Sequence, residues 1–109
     1  MKRMGMMIGL DSAQAAEYRR LHADVWPDVL AQLSRSNVRN YTIFWNEAEA
    51  TLFGYWEYHG TDFDADMRQM ADDPTTQKWW AICGPMQRPL ESRAKGEHWA
   101  DMQEVFHMD

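Results

Sequence analysis

The chain has 109 residues and a mass of 12.9 kDa, a length that suits one hydrophobic core and argues against two independent domains, so residues 1–109 are read as a single domain. With 45% hydrophobic and 26% charged residues the composition is that of a globular protein. Eleven basic residues against seventeen acidic ones leave a net charge of −6, which argues against a nucleic acid partner because phosphate binding relies on clustered Lys and Arg.

A single cysteine, Cys83, has no internal disulfide partner, and no Cys/His spacing resembles a zinc site. No apolar run approaches the length of a membrane span, and Met1 to Leu10 is too short for a signal peptide. The expectation is a cytoplasmic protein with no membrane partner and no bound metal. Six tryptophans in so short a chain are the compositional oddity. Tryptophan fills cores, and it also lines sites that hold the apolar faces of sugars and other ligands.

Met4 to Leu10 is an apolar run of strand length, ended by Asp11-Ser12 with Gln14 three positions after Asp11, a capping-box pattern for a helix start. From there Ala15, Tyr18, His22, Val25, Trp26, Val29 and Leu33 recur at helical spacing, opposite Glu17, Arg20, Asp24, Asp28 and Arg35. Pro27 removes a backbone donor, so the spacing predicts two helical pieces with a break just before it. Val38 to Trp45 and Thr51 to Tyr58 are rich in β-branched and aromatic residues, and Asn46 to Glu49 between them predicts a hairpin. Phe63, Met67 and Met70 predict a helix over Asp62 to Ala71, and Asp73-Pro74 starts another that carries Gln77 to Ile82. An irregular stretch follows to Gly96, and Met102 to Met108 reads as a last strand with Met102, Glu104, Phe106 and Met108 on one face. The order β-α-β-β-α-α-β predicts an α+β fold, an antiparallel sheet with helices on one face. Such a small sheet leaves edges and a face open, and pairing with a second copy is the common remedy, so a homodimer is expected.

Tyr18, His22 and Trp26 are spaced four apart, which puts a phenol, an imidazole and an indole on one helix face. Imidazole titrates near neutral pH, so an inward-facing histidine suits proton transfer, although a lone histidine in an apolar stripe is more often a hydrogen-bonded core residue. Adjacent helical residues point about 100° apart, so Trp79 and Trp80 are both core only if their helix is buried around much of its circumference; otherwise one faces a cleft or a partner. Tyr41 begins the second strand and is open to either face. His59 and His98 sit beside glycines in predicted loops and are expected to be solvated, and His107 has no local partner. Met4, Met6, Met7, Met67 and Met70 read as core filling, and Asp72-Asp73 and Glu47/Glu49 as solvated turns rather than metal ligands.

The segment Glu17-Tyr18-Arg19-Arg20-Leu21-His22-Ala23-Asp24-Val25-Trp26-Pro27-Asp28 resembles the signature of the L-rhamnose mutarotase family, in which a Glu-Tyr, a His four residues after the Tyr and a Trp-Pro-acid group recur. Asn40-Tyr41, Lys78-Trp79-Trp80 and Glu104-Val105-Phe106-His107-Met108 match in the same order, so the resemblance spans nearly the whole chain. It implies a ferredoxin-like α+β subunit that forms a dimeric α+β barrel. It also implies an enzyme without a cofactor that interconverts the α and β anomers of L-rhamnose or a similar 6-deoxyhexose. His22 would be the proton donor, and Tyr18, Tyr41, Trp79 and Trp80 the sugar-binding residues. Two departures stand out: Asp28 stands where Glu is frequent, and Arg88-Pro89-Leu90-Glu91-Ser92 with Gly96-Glu97-His98-Trp99 replaces an Asn-Pro-Asp-containing loop. That loop bears on which sugar is taken.

Opening a pyranose needs a proton delivered to the ring oxygen and another removed from the anomeric hydroxyl, with closure reversing both transfers. His22 suits the donor role, while a second group or a water takes the hydroxyl proton; Tyr18 is one turn away, but its ordinary pKa is high. Trp79 and Trp80 would stack on the sugar, Trp26 would neighbour the histidine, and Trp45 and Trp56 read as hairpin packing, with Trp99 unassigned. Two other readings share this architecture: cofactor-free oxygenation of aromatic compounds, and a non-catalytic module that binds a small ligand or dimerises through its tryptophans.

Overall fold

The computed structural model describes residues 1–109. In chain order the elements are β1 (Lys2–Leu10), a 3-10 turn (Ser12–Gln14), α1 (Ala15–His22), α2 (Pro27–Arg35), β2 (Val38–Asn46) and β3 (Thr51–Tyr58). They are followed by α3 (Phe63–Asp72), α4 (Pro74–Cys83), a second 3-10 turn (Gly84–Met86), β4 (Gln87–Arg88) and β5 (Ala100–Met102). The sheet is antiparallel in the order β2-β3-β1-β4, with β5 also on β1. β1 pairs with β3 from Lys2↔Tyr58 to Gly9↔Thr51. Its other edge takes β5 at Gly5 to Met7 and β4 at Gly9 and Leu10.

Strand alternation decides what the sheet buries. Leu52, Gly54, Trp56 and Tyr58 form the buried face of β3, and the β1 residues opposite the first three, Ile8, Met6 and Met4, share that face. The helices cover this face, giving the expected α+β arrangement. One buried cluster joins Ile8, Leu10 and Leu52 to Ala15, Tyr18, Val29, Trp79 and Cys83. A second joins Met6, Val38, Trp56 and Tyr58 to Met70. Full burial of a side chain such as Ile8 or Leu52 is worth about 1.5–3 kcal/mol, so these rows anchor the helix layer.

Local chemistry starts and stops the helices where expected. α1 ends at His22 and α2 begins on Pro27 as its first residue, so the apolar stripe continues across a break at 23–26. Asp62 caps α3 by accepting from Ala65 N at 3.2 Å, and Asp73 caps α4 by accepting from Thr76 N at 2.9 Å. At Asp11 the side chain accepts from Ala13 N at 3.0 Å and opens the 3-10 turn, while Gln14 makes no reciprocal side-chain bond.

The C-terminus differs from expectation. Pairing ends at Met102, and residues 103–109 form no strand. Met102 lies opposite Gly5, so by register Gln103 to Val105 run alongside Met4 to Lys2 without joining the ladder, and the chain from Phe106 on passes beyond the start of β1. Arg3 Nε still donates to Glu104 Oε1 at 3.0 Å, and beyond it Val105, Phe106 and Met108 are exposed. The two-residue β4, inside the stretch expected to be irregular, was not anticipated. No helix is long and apolar enough to cross a membrane.

Candidate active site

A cavity of about 490 Å³ lies between the helices and the buried face of the sheet, and Tyr18, His22, Tyr41, Trp79 and Trp80 all line it. Residues from α1, β2 and α4 therefore meet in one place.

His22 closes α1. Its Nδ1 bonds the Tyr18 carbonyl oxygen at 2.8 Å. A carbonyl oxygen only accepts, so Nδ1 carries a proton and Nε2 is left to exchange one. The imidazole stacks on the Tyr18 ring, with centroids 4.1 Å apart and planes at 19°, and meets Trp79 edge-on at 5.2 Å. Desolvation lowers its pKa below the ordinary 6.5, and the bond to the Tyr18 carbonyl opposes that shift. At neutral pH the ring is therefore predominantly uncharged, with a lone pair on Nε2.

Tyr18 is buried, and its hydroxyl accepts from Gln87 Nε2 at 3.0 Å. Burial pushes the phenol above its ordinary value, against the Gln87 bond that lowers it, so it stays protonated.

Tyr41 faces the cavity because β2 is bulged. Arg39 pairs with Glu57 and Thr42 with Tyr55, so Asn40 and Tyr41 together oppose Trp56 alone. Asn40 takes the left-handed conformation, φ 53°, and its Nδ2 donates to Glu57 Oε1 at 2.9 Å. The bulge switches strand parity: Val38 faces inward before it, and Tyr41 and Ile43 do so after it. Tyr41 leaves 40% of its surface open as a residue, yet desolvation at the phenol oxygen pushes its pKa up to about 12.

On α4 the two indoles divide. Trp79 is 6% exposed and wedged against His22 and Trp26, whereas Trp80 is 46% exposed on the cavity rim. Trp26, expected beside the histidine, rests edge-on against Trp79 at 5.1 Å and so neighbours His22 through that indole. Trp45 packs on the core under the Arg19 guanidinium, 5.2 Å from its ring centre. Cys83 also lines the cavity; burial pushes its thiol up to about 11, so it is not a thiolate.

Several lining residues escaped the sequence reading. Trp56, expected to serve only hairpin packing, forms part of the cavity wall. Its alternation with Leu52, Gly54 and Tyr58 carried that signal. His98 is exposed, as expected, and in addition bonds Gln87 Oε1 through Nε2 at 2.7 Å on the cavity edge. Trp99, unassigned from sequence, lies against the sheet over Gly54, where a Cβ would come within 3.3 Å of its Cζ3. Gln87 sits in a two-residue strand and His98 and Trp99 in the loop before β5, where no periodicity predicts an inward direction. A site built this way has aromatic walls, a proton-exchanging nitrogen at Nε2 of His22 and a few fixed donors, which suits a small polyol with one apolar side.

Comparison with known proteins bears on the fold and the family. The structure is similar to a crystal structure of L-rhamnose mutarotase from Formosa agariphila, with a TM-score of 0.79 and 23% identity over the whole of both chains. It is also similar to tetracenomycin F2 cyclase from Streptomyces glaucescens, with a TM-score of 0.70 and 16% identity, again over both whole chains. These likenesses establish the fold as that of the dimeric α+β barrels. In sequence, the chain is 31% identical to the L-rhamnose mutarotase of Oceanobacillus iheyensis and 30% identical to that of Lactiplantibacillus plantarum, each over 109 residues and 100% of both chains. A family model described as L-rhamnose mutarotase matches residues 3–108, and the chain belongs to the L-rhamnose mutarotase family.

Proposed function

We propose that this protein is an aldose 1-epimerase that interconverts the α and β anomers of L-rhamnose. The observation that carries the reading is the free Nε2 of His22, aimed by the Tyr18 carbonyl and set in a cavity walled by Tyr41, Trp79 and Trp80. Membership of this isomerase family, with relatives named for the same reaction along their whole length, supports it.

The chemistry follows from the resting state of the histidine. Uncharged His22 accepts the proton of the anomeric hydroxyl on Nε2 as the bond between C1 and the ring oxygen breaks. The imidazolium so formed is the donor that protonates the ring oxygen. The aldehyde rotates about C1–C2, and closure runs the same transfers in reverse. Tyr18 and Tyr41, both protonated, donate to sugar oxygens, while Trp79 and Trp80 cover the C–H face and the methyl group and keep bulk water away.

The assembly that suits this subunit is a homodimer joined through the sheet face away from the helices. Met7, Phe44, Phe53, Tyr55 and Met102 share that face, with Phe44 64% exposed. Saturation-transfer NMR on L-rhamnose tests the activity. The wild type accelerates exchange between anomers, and H22A folds normally and loses most of that acceleration; wild-type exchange in H22A would remove His22 from the mechanism.

A further inference from the structure

His98 and Gln87 lie outside every assignment made so far, yet with Tyr18 they form one hydrogen-bonded line along the cavity wall. Gln87 Nε2 donates to the Tyr18 hydroxyl at 3.0 Å across 69 residues of sequence, and Gln87 Oε1 faces His98 Nε2 at 2.7 Å. Both bonds have a definite direction. An amide oxygen only accepts, so Nε2 of His98 carries the proton whether that ring is neutral or charged. With its oxygen held by His98, Gln87 has only its NH2 group to offer Tyr18. The Tyr18 oxygen therefore receives, and its own O–H is left to point elsewhere.

We propose that His98 and Gln87 are positioning residues that hold the Tyr18 hydroxyl as a hydrogen-bond donor toward a sugar oxygen in the cavity. Without the His98 donor, the Gln87 amide is free to turn over. Its oxygen would then face Tyr18 and draw the phenol proton to itself, and the sugar would lose a donor it meets on entry. His98 is exposed on the cavity edge, so it sets this polarity without being part of the buried core. The donor arrangement thus bears on how the pocket holds a sugar oxygen.

The inference rests on the reading of the site as a sugar pocket, and its test separates the two. H98L removes the donor and H98Q keeps an N–H at nearly the same place. In anomer-exchange kinetics H98L raises KM by about three- to tenfold, the equivalent of one ordinary hydrogen bond, with little change in kcat, and H98Q restores the wild-type KM. Equal KM values in H98L and H98Q would overturn the proposal, as would a loss confined to kcat. A second readout needs no sugar: with tyrosine labelled with 13C at Cζ, the Tyr18 resonance, identified by its loss in Y18F, shifts in H98L and stays in place in H98Q. An unmoved resonance in H98L overturns the polarity. If the wild type fails to accelerate exchange, the sugar reading falls, and the resonance still decides whether His98 governs Tyr18.

Discussion

The backbone carbonyl of Tyr18 accepts from Nδ1 of His22 at 2.8 Å, so a residue one helical turn earlier decides which nitrogen of the histidine exchanges protons. The same tyrosine stacks under the imidazole at 4.1 Å and turns its hydroxyl to Gln87. Tyr18 thus sets the tautomer of His22 and desolvates one face of its ring.

This geometry predicts the pH dependence of catalysis. Burial lowers the His22 pKa below 6.5, and the form that starts the cycle is the uncharged one. kcat/KM, which reports the free enzyme, therefore rises with pH through an inflection below 6.5 and is flat above it. H22A removes the inflection and slows exchange by about 10²–10⁴-fold, the usual contribution of a general acid or base. A rate that falls as pH rises through the same point would show that the charged form starts the cycle.

The bulge in β2 predicts a coupling between the open face of the sheet and the cavity. Asn40 at φ 53° tolerates the left-handed conformation that a β-branched residue resists. N40V is therefore expected to cost about 1–2 kcal/mol in urea unfolding and to weaken sugar binding, read by tryptophan fluorescence, because Tyr41 loses its inward direction. N40G, which accepts the same φ, is expected to keep Tyr41 in place.

Glu57 anchors that bulge and gives it an acid limit. Bonds from His59, Asn40 and Tyr55 hold its carboxyl down to about 2, against an ordinary 4.5. A carboxyl whose folded pKa lies below its unfolded value stabilises the fold above the unfolded value, and that stabilisation disappears as pH falls through the folded one. The Glu57 contribution is therefore complete above about pH 4.5 and is lost between there and about 2. In urea titrations at stepped pH, E57Q is expected to flatten the stability curve in that window.

Gly54 makes room for Trp99. A Cβ there would stand 3.1 Å from Met6 Cγ and 3.3 Å from Trp99 Cζ3, so both neighbours must give. G54A is expected to lower the urea midpoint by the equivalent of about 1–3 kcal/mol and to push the indole toward the cavity, raising KM for L-rhamnose. An unchanged midpoint would mean that Trp99 moves freely.

The open sheet face predicts the assembly. Phe44 is 64% exposed beside Phe53 on a surface with no helix over it. Sedimentation equilibrium is expected to give a dimer for the wild type and a monomer for F44E, since a charge facing its own copy costs more than the interface returns. A wild-type monomer would remove the dimer from the proposal.

Periodicity in the sequence determined most of the fold and the nucleus of the site. The apolar run Met4 to Leu10 and the aromatic-rich segment Thr51 to Tyr58 marked the two central strands. The spacing of Tyr18 and His22 stacked the two rings, and Asp73-Pro74 started the helix that carries Trp79 and Trp80. These are local effects, legible because the residues involved lie within a few positions of one another. Tertiary structure alone decided the rest. The direction of Tyr41 depends on a bulge that exists only against β3, and the different exposures of Trp79 and Trp80 depend on what lies beneath α4. Residues 103–109 carry strand-like alternation, yet the ladder stops at Met102, and from Phe106 on the chain has passed the start of β1, where a strand without a neighbour has no ladder to form. Gln87 and His98 reach Tyr18 from the far end of the chain, through contacts between residues too distant in sequence for any local pattern to encode.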